Sequence, residues 1–190
     1  MQLIIPDTYS VYKVLGIDPG LNNTGIAIFT IDCVSNSILN IDAFTLINDK
    51  LSDYTGLDEE QYTERTIKLY KLQEAVNHVL AFNNPIAVGC EAPFYNRFRP
   101  MAYGALLEVV NNIFASIIKY NPNILFHLLE PLLVKKIVGA GFMKGKISVK
   151  ESVAKIPELV NVTSQDLNTL DEHSIDAIAV GYSMLKTYRR

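Results

Sequence analysis

Two short apolar runs, VLGI at 14–17 and GIAIF at 25–29, flank the seven residues DPGLNNT. Runs this short, rich in β-branched residues and broken by a Pro-Gly turn, read as strands rather than helices. A third run, SILNIDAFTLI at 37–47, follows another short turn, so YKVLGID (12–18), GIAIFTI (25–31) and 37–47 form a meander. The first strand ends on Asp18, where a strand built for the interior would otherwise end apolar. Three readings compete: an incidental turn acid, a loop that wraps phosphates, or a carboxylate set out to hold metal.

The remaining segments extend the sheet. Asp58 and Gln61 have the spacing of a capping box, predicting a helix with Leu69, Leu72, Val76, Val79 and Leu80 on one face, stopped by NNP at 83–85. IAVGCE at 86–91 reads as a strand covered on both faces. Pro100 begins a helix to about Tyr120 whose apolar residues cover more than one stripe, predicting burial on both sides, with a partner subunit as candidate cover. ILFHLL at 124–129 is a fifth strand, followed by a short helix after Pro131. Ser148 and Glu151 form a second capping box, and the last helix runs from about Asp171 to Tyr188. Three strands, then alternating helices and strands, predict an α/β layer fold with a mixed sheet. No internal repeat or long linker divides the chain, so all 190 residues read as a single domain.

Composition narrows the function. With 49% apolar and 19% charged residues the chain is globular. No uninterrupted apolar stretch reaches the roughly 20 residues of a membrane span, and the start MQLIIPDTYS has neither the basic nor the long apolar region of a signal peptide. The expectation is a soluble, intracellular (cytoplasmic) protein with no membrane partner. Cys33, Cys90 and three scattered histidines make a poor disulfide framework and a poor zinc site. The segment AGFMKGKIS (140–148) departs from a phosphate-binding loop at Ala140 and Ile147, and nothing else calls for an organic cofactor. The net charge of −3 argues mildly against nucleic-acid binding as a sum. The distribution matters more than the sum: Lys135, Lys136, Lys144, Lys146 and Lys150 gather late in the chain and Arg97 and Arg99 lie upstream, a pattern read either as solvated helix faces or as a local basic surface.

Four side chains could meet. Asp18 and Glu91 end two strands and can face one crevice at the carboxyl edge of the sheet. His173 and Asp176 are three residues apart near the start of the last helix, hence on one face. Carboxylates gathered from distant segments repel, and hard divalent cations relieve that repulsion. Two such ions roughly 4 Å apart suit phosphodiester hydrolysis.

GIDPGLNNTG (16–25), CEAPF (90–94), VKKIVGAGFMKGKISV (134–149) and HSIDAIA (173–179) occur in the order of four family blocks, and the chain resembles a RuvC-type Holliday junction resolvase of the ribonuclease H-like superfamily. The resemblance implies a five-stranded mixed sheet of order 3-2-1-4-5 flanked by helices. It implies Asp18, Glu91, His173 and Asp176 as the catalytic, metal-binding set, with two Mg²⁺ per site and Mn²⁺ as substitute. Phe94 matches an aromatic placed against bases at the junction centre, with core packing as the rival reading. Lys135 and Lys146 match lysines that neutralise phosphates, and Lys136, Lys144, Arg97 and Arg99 are further DNA-binding candidates. The implied activity is paired cleavage of four-way branched DNA by a homodimer. Alternatives are a nuclease on flaps or forks, a junction binder without catalysis, and, as the remotest, a nucleotide-binding protein of the actin or sugar-kinase kind.

Overall fold

The computed structural model describes residues 10–51, 60–95, 97–98, 100–141 and 148–188. Strands β1 (Val11–Asp18), β2 (Asn23–Asp32) and β3 (Ile38–Ile47) form the meander, with antiparallel pairing of β1 to β2 and β2 to β3. After helix α1 (Glu64–Asn83), β4 (Ala87–Glu91) joins β1 in parallel. Helix α2 (Pro100–Tyr120) crosses back, and β5 (Leu125–Leu129) adds in parallel to β4. The sheet order is β3-β2-β1-β4-β5, as expected from the sequence. Three short helices, α3 (Pro131–Val138), α4 (Val149–Val153) and α5 (Pro157–Val160), precede the long α6 (Glu172–Tyr188).

The strands are nearly continuous apolar runs because both faces are covered. On one face Val14, Ala27, Phe29 and Ile41 pack against Ile175, Ile178 and Tyr182 of α6, together with Val134, Val153 and Leu159. On the other, Leu15, Ile17, Ile26 and Val88 pack against Leu72, Val76 and Leu80 of α1 and Val109, Ile113 and Ile117 of α2. One local expectation changes. Helix α1 starts at Glu64 with Thr63 as its cap, the Thr63 hydroxyl accepting from the Thr66 amide; Gln61 sits in the turn before it, and Asp58 lies outside the described residues. Thr63 caps the Thr66 amide, the third helical position, as Asp58 would have capped that of Gln61 in a helix starting five residues earlier. Helix α2 buries one side on the sheet, through Val109, Val110, Ile113 and Ile117, and leaves Met101, Leu107, Phe114 and Ile118 exposed on this single chain, the side for which a partner subunit was the candidate cover. By length and composition α2 could span a bilayer, but its buried stripe lies on the sheet and Glu108 pairs with Arg65 of α1 at 2.7 Å. The Ser148–Glu151 capping box forms as expected.

One sheet edge is covered. The Ile41 amide donates to the Val162 carbonyl, the Ser164 amide donates to the Ile41 carbonyl, and the Gln165 side chain accepts from the Ala43 amide. These bonds occupy polar groups that an edge strand would otherwise offer to another chain.

Candidate active site at the carboxyl edge of the sheet

The ends of β1 and β4 and the start of α6 meet on one face of the sheet. Asp18 closes β1 and Glu91 closes β4. Since Ile17 pairs with Cys90, the two acids follow at the same level of adjacent parallel strands. His173 and Asp176 stand near the start of α6, and the His173 Nδ1 lies 2.8 Å from Asp18 Oδ2.

Glycines make this approach possible. A methyl group on Gly16 would collide with the Ala177 carbonyl and the Gly181 backbone, and one on Gly25 with the His173 carbonyl. Backbone therefore rests on backbone where α6 crosses β1 and β2, a separation that any larger side chain would forbid. The Gly20 turn is closed by the fully buried Thr24, whose hydroxyl donates to the Gly20 carbonyl at 2.6 Å. The turn acid is thus held at the mouth of a rigid hairpin.

The field at this edge is strongly negative. Burial, then the charges of Asp18 and Asp176, push the Glu91 carboxyl up to about 7, with Lys135 opposing. Burial, then Asp18 and Glu172, push Asp176 up to about 6, with His173 and Lys135 opposing. Burial raises Asp18 as well, while the hydrogen bond and charge of His173 pull it back. The buried Cys90 thiol is raised by desolvation and by the neighbouring Asp18 and Glu91, so it stays protonated and acts as a small apolar group.

These side chains fit a hard divalent cation by donor chemistry. Asp18, Glu91 and Asp176 supply carboxylate oxygens and His173 one imidazole, and their mutual repulsion is what a cation removes. Among the described residues no three His, Cys, Asp or Glu side chains already stand close enough together to hold a metal ion, while Asp18 turns one oxygen to His173.

The surrounding candidates divide. Phe94 is 62% exposed, so core packing is ruled out for it. Arg97 lies over the ring of the exposed Phe98, 4.7 Å from its centroid. Lys135 and Lys136 are exposed in the last turn of α3, and the Lys135 charge reaches both Glu91 and Asp176. Arg99, Lys144 and Lys146 lie outside the described residues. Sequence reasoning passed over Glu172 and Asp171, whose charges both act on Asp18. The run LDEH showed their acidity, but only the closeness of α6 to β1 gives it an effect at the site.

No family model matches this chain, and no curated protein matches it by sequence. Solved structures do match. The T. thermophilus RuvC in complex with Holliday junction substrate superposes with a TM-score of 0.65 at 14% identity, covering 90% of this chain and 91% of that one. The yeast mitochondrial Holliday junction resolvase gives 0.62 at 15% identity, covering 94% and 81%. The Fowlpox virus resolvase, solved with substrate Holliday junction DNA, gives 0.56 at 18% identity, covering 92% and 99%. The likeness is one of fold, and the five-stranded 3-2-1-4-5 sheet flanked by helices is the architecture that the resemblance implied.

Proposed function

We propose that this chain is a divalent-metal-dependent endonuclease that resolves four-way DNA junctions. The observation that carries this reading is the convergence of Asp18, Glu91, His173 and Asp176 from three separate elements, in a fold shared with solved resolvases. Asp18, Glu91 and Asp176 would hold the metal, with His173 either joining them or orienting the attacking water, and the ions proposed are two Mg²⁺ with Mn²⁺ as substitute. When bound, such ions polarise the phosphodiester and lower the pKa of the attacking water.

The chain's own groups have defined tasks. With Asp18 ionised, His173 donates from Nδ1 to Oδ2, which leaves the Nε2 lone pair free to take a proton. Lys135, next to two carboxylates, offsets phosphate charge at the strand that is cut. Lys136 and Arg97 extend that positive surface, and the exposed Phe94 offers a face for an unpaired base at the junction centre. Lys144, Lys146 and Arg99 belong to the same proposed contact set by sequence. Net charge is then a poor guide, since Asp18, Glu91, Asp171, Glu172 and Asp176 are counted against bases such as Lys135 that act beside them.

A homodimer places one site on each of two strands related by the junction's pseudo-two-fold symmetry. The exposed Leu107, Phe114 and Ile118 of α2, Leu128 of β5, and Leu132 and Leu133 of α3 form the apolar surface proposed for that contact.

The test is a labelled synthetic four-way junction beside a linear duplex of the same sequence, with and without Mg²⁺. The expected result is symmetric incision of the junction, dependent on metal and abolished by Asp18→Asn or Asp176→Asn. Wild-type rates in either variant would refute the reading. Equal cutting of flaps or forks would move it to a broader branched-DNA nuclease, and binding without cleavage in either metal would leave a junction-binding protein.

A further inference from the structure

The register of the sheet places three residues in one row. Asp18 of β1 pairs with Gly25 of β2, and Gly25 pairs with Thr45 of β3. The entry to α6 lies along this row and touches all three. The His173 side chain meets Asp18, the His173 carbonyl rests on Gly25, and Asp171 meets Thr45, whose hydroxyl donates to Asp171 Oδ1 at 2.6 Å. Asp171 also caps the helix: its Oδ1 accepts from the Ser174 amide at 3.0 Å and its Oδ2 from the Ser174 hydroxyl at 2.9 Å. Ser174 is fully buried, and its hydroxyl lies 3.1 Å from that of Thr45.

The two ends of the row do different work. The contacts at Gly16 and Gly25 and the buried side chains between Ser174 and Leu185 fix the body of α6 on the sheet, but its first turn, where Asp171 and Glu172 are exposed and His173 and Asp176 half-buried, still has to be held against rotation at its entry. Successive helical residues are about 100° apart, so a small roll carries the His173–Asp176 face away from Asp18 and Glu91. A second tie, off the axis and on another strand, stops the roll. Asp171 and Thr45 supply it, 126 residues apart in sequence.

We propose that Asp171 is a positioning residue for the nuclease reaction, tying α6 to β3 through Thr45 so that His173 and Asp176 face Asp18. It touches neither substrate nor metal. The role rests on the proposed nuclease function, and it requires the acceptor geometry of Asp171 rather than its charge, which acts against Asp18.

The test compares Asp171→Ala, Asp171→Asn and Thr45→Val in the full chain. Three measurements are made: single-turnover cleavage of pre-bound junction, junction affinity in EDTA, and Mn²⁺ affinity from the loss of the free-ion EPR signal. Asp171→Ala and Thr45→Val are expected to slow cleavage about tenfold or more, the scale of a small misplacement of reacting groups. Both should weaken Mn²⁺ binding several-fold and leave junction affinity within about twofold. Asp171→Asn, which retains the acceptor, should stay within about threefold of wild type, and the Ala/Val double variant should be no slower than either single one. The proposal is overturned if Asp171→Ala, shown folded by circular dichroism, cleaves and binds Mn²⁺ like wild type, or if Asp171→Asn falls as far as Ala. If the wild-type chain cuts no junction, the nuclease reading fails by itself. The clamp is then judged on Mn²⁺ affinity: weakening in Ala but not in Asn supports it, and no change overturns it.

Discussion

Raising pH should destabilise the metal-free protein, and divalent metal should reverse the effect. The Glu91 carboxyl is pushed from 4.5 up to about 7 and that of Asp176 from 3.8 up to about 6. Both folded-state values lie above the unfolded ones, so the folded chain binds the extra protons. The stability this contributes is fully present below about pH 4 and is lost as pH rises through about 6 and then 7. A tenfold change in proton affinity corresponds to about 1.4 kcal/mol, so each group taken singly gives about 3 kcal/mol. Both are partly accessible and share repulsion from Asp18, so screening and overlap bring the pair to roughly 3 kcal/mol together. For a chain of this size that is a fall in Tm of roughly 5–10 °C between about pH 5 and pH 8. Asp171, whose carboxyl is lowered from 3.8 by its Thr45 and Ser174 hydrogen bonds against the effect of burial, acts in the opposite direction, but only below that window. The assay is thermal unfolding across this pH range in EDTA and in excess Mg²⁺. Metal should raise Tm strongly at the alkaline end and little at the acid end, because ligand binding to the folded state competes with protons for the same oxygens. The Glu91→Gln, Asp176→Asn double variant should flatten both responses. A metal-free Tm that is level or rising over this window, or a fall that persists in the double variant, refutes the argument that these carboxylates repel in one pocket.

Gly16→Ala places a methyl group against the Ala177 carbonyl and the Gly181 backbone, so it should lower stability by about 3 kcal/mol and disturb the Asp18–His173 contact. A melting curve superimposable on wild type would show that α6 and β1 are not in backbone contact. Phe94→Ala, removing a ring that is 62% exposed, should leave Tm unchanged while weakening junction binding by about 1–3 kcal/mol. Junction binding equal to wild type in this variant would refute a base-contact role for Phe94.

The sheet was legible because its signals are local. Strands 11–18, 23–32 and 38–47 lie within two residues of the runs read from the sequence, and the order of apolar runs and helices pointed to a mixed layer fold. Asp18 and Glu91 stood out because each ends a buried strand on a charge, and His173 and Asp176 because helical spacing puts them on one face. What the sequence concealed was contact between distant segments. Gly25 looks like any turn glycine until the His173 carbonyl is seen against it, and the pairing of Asp171 with Thr45 leaves no periodic trace. The Asp58–Gln61 pattern misled for the opposite reason, since local spacing was present but the helix takes Thr63 as its cap. A ring just after a strand, such as Phe94, can turn inward or outward, and only the chain path decides.

The hydrogen bonds that Val162, Ser164 and Gln165 make along β3 carry a consequence for assembly. They seal one margin of the sheet, so growth by strand addition is blocked there and the apolar flank around Leu128 lies at the opposite margin. In the proposed homodimer, one sealed margin and one apolar margin would give a closed pair where an open sheet would polymerise.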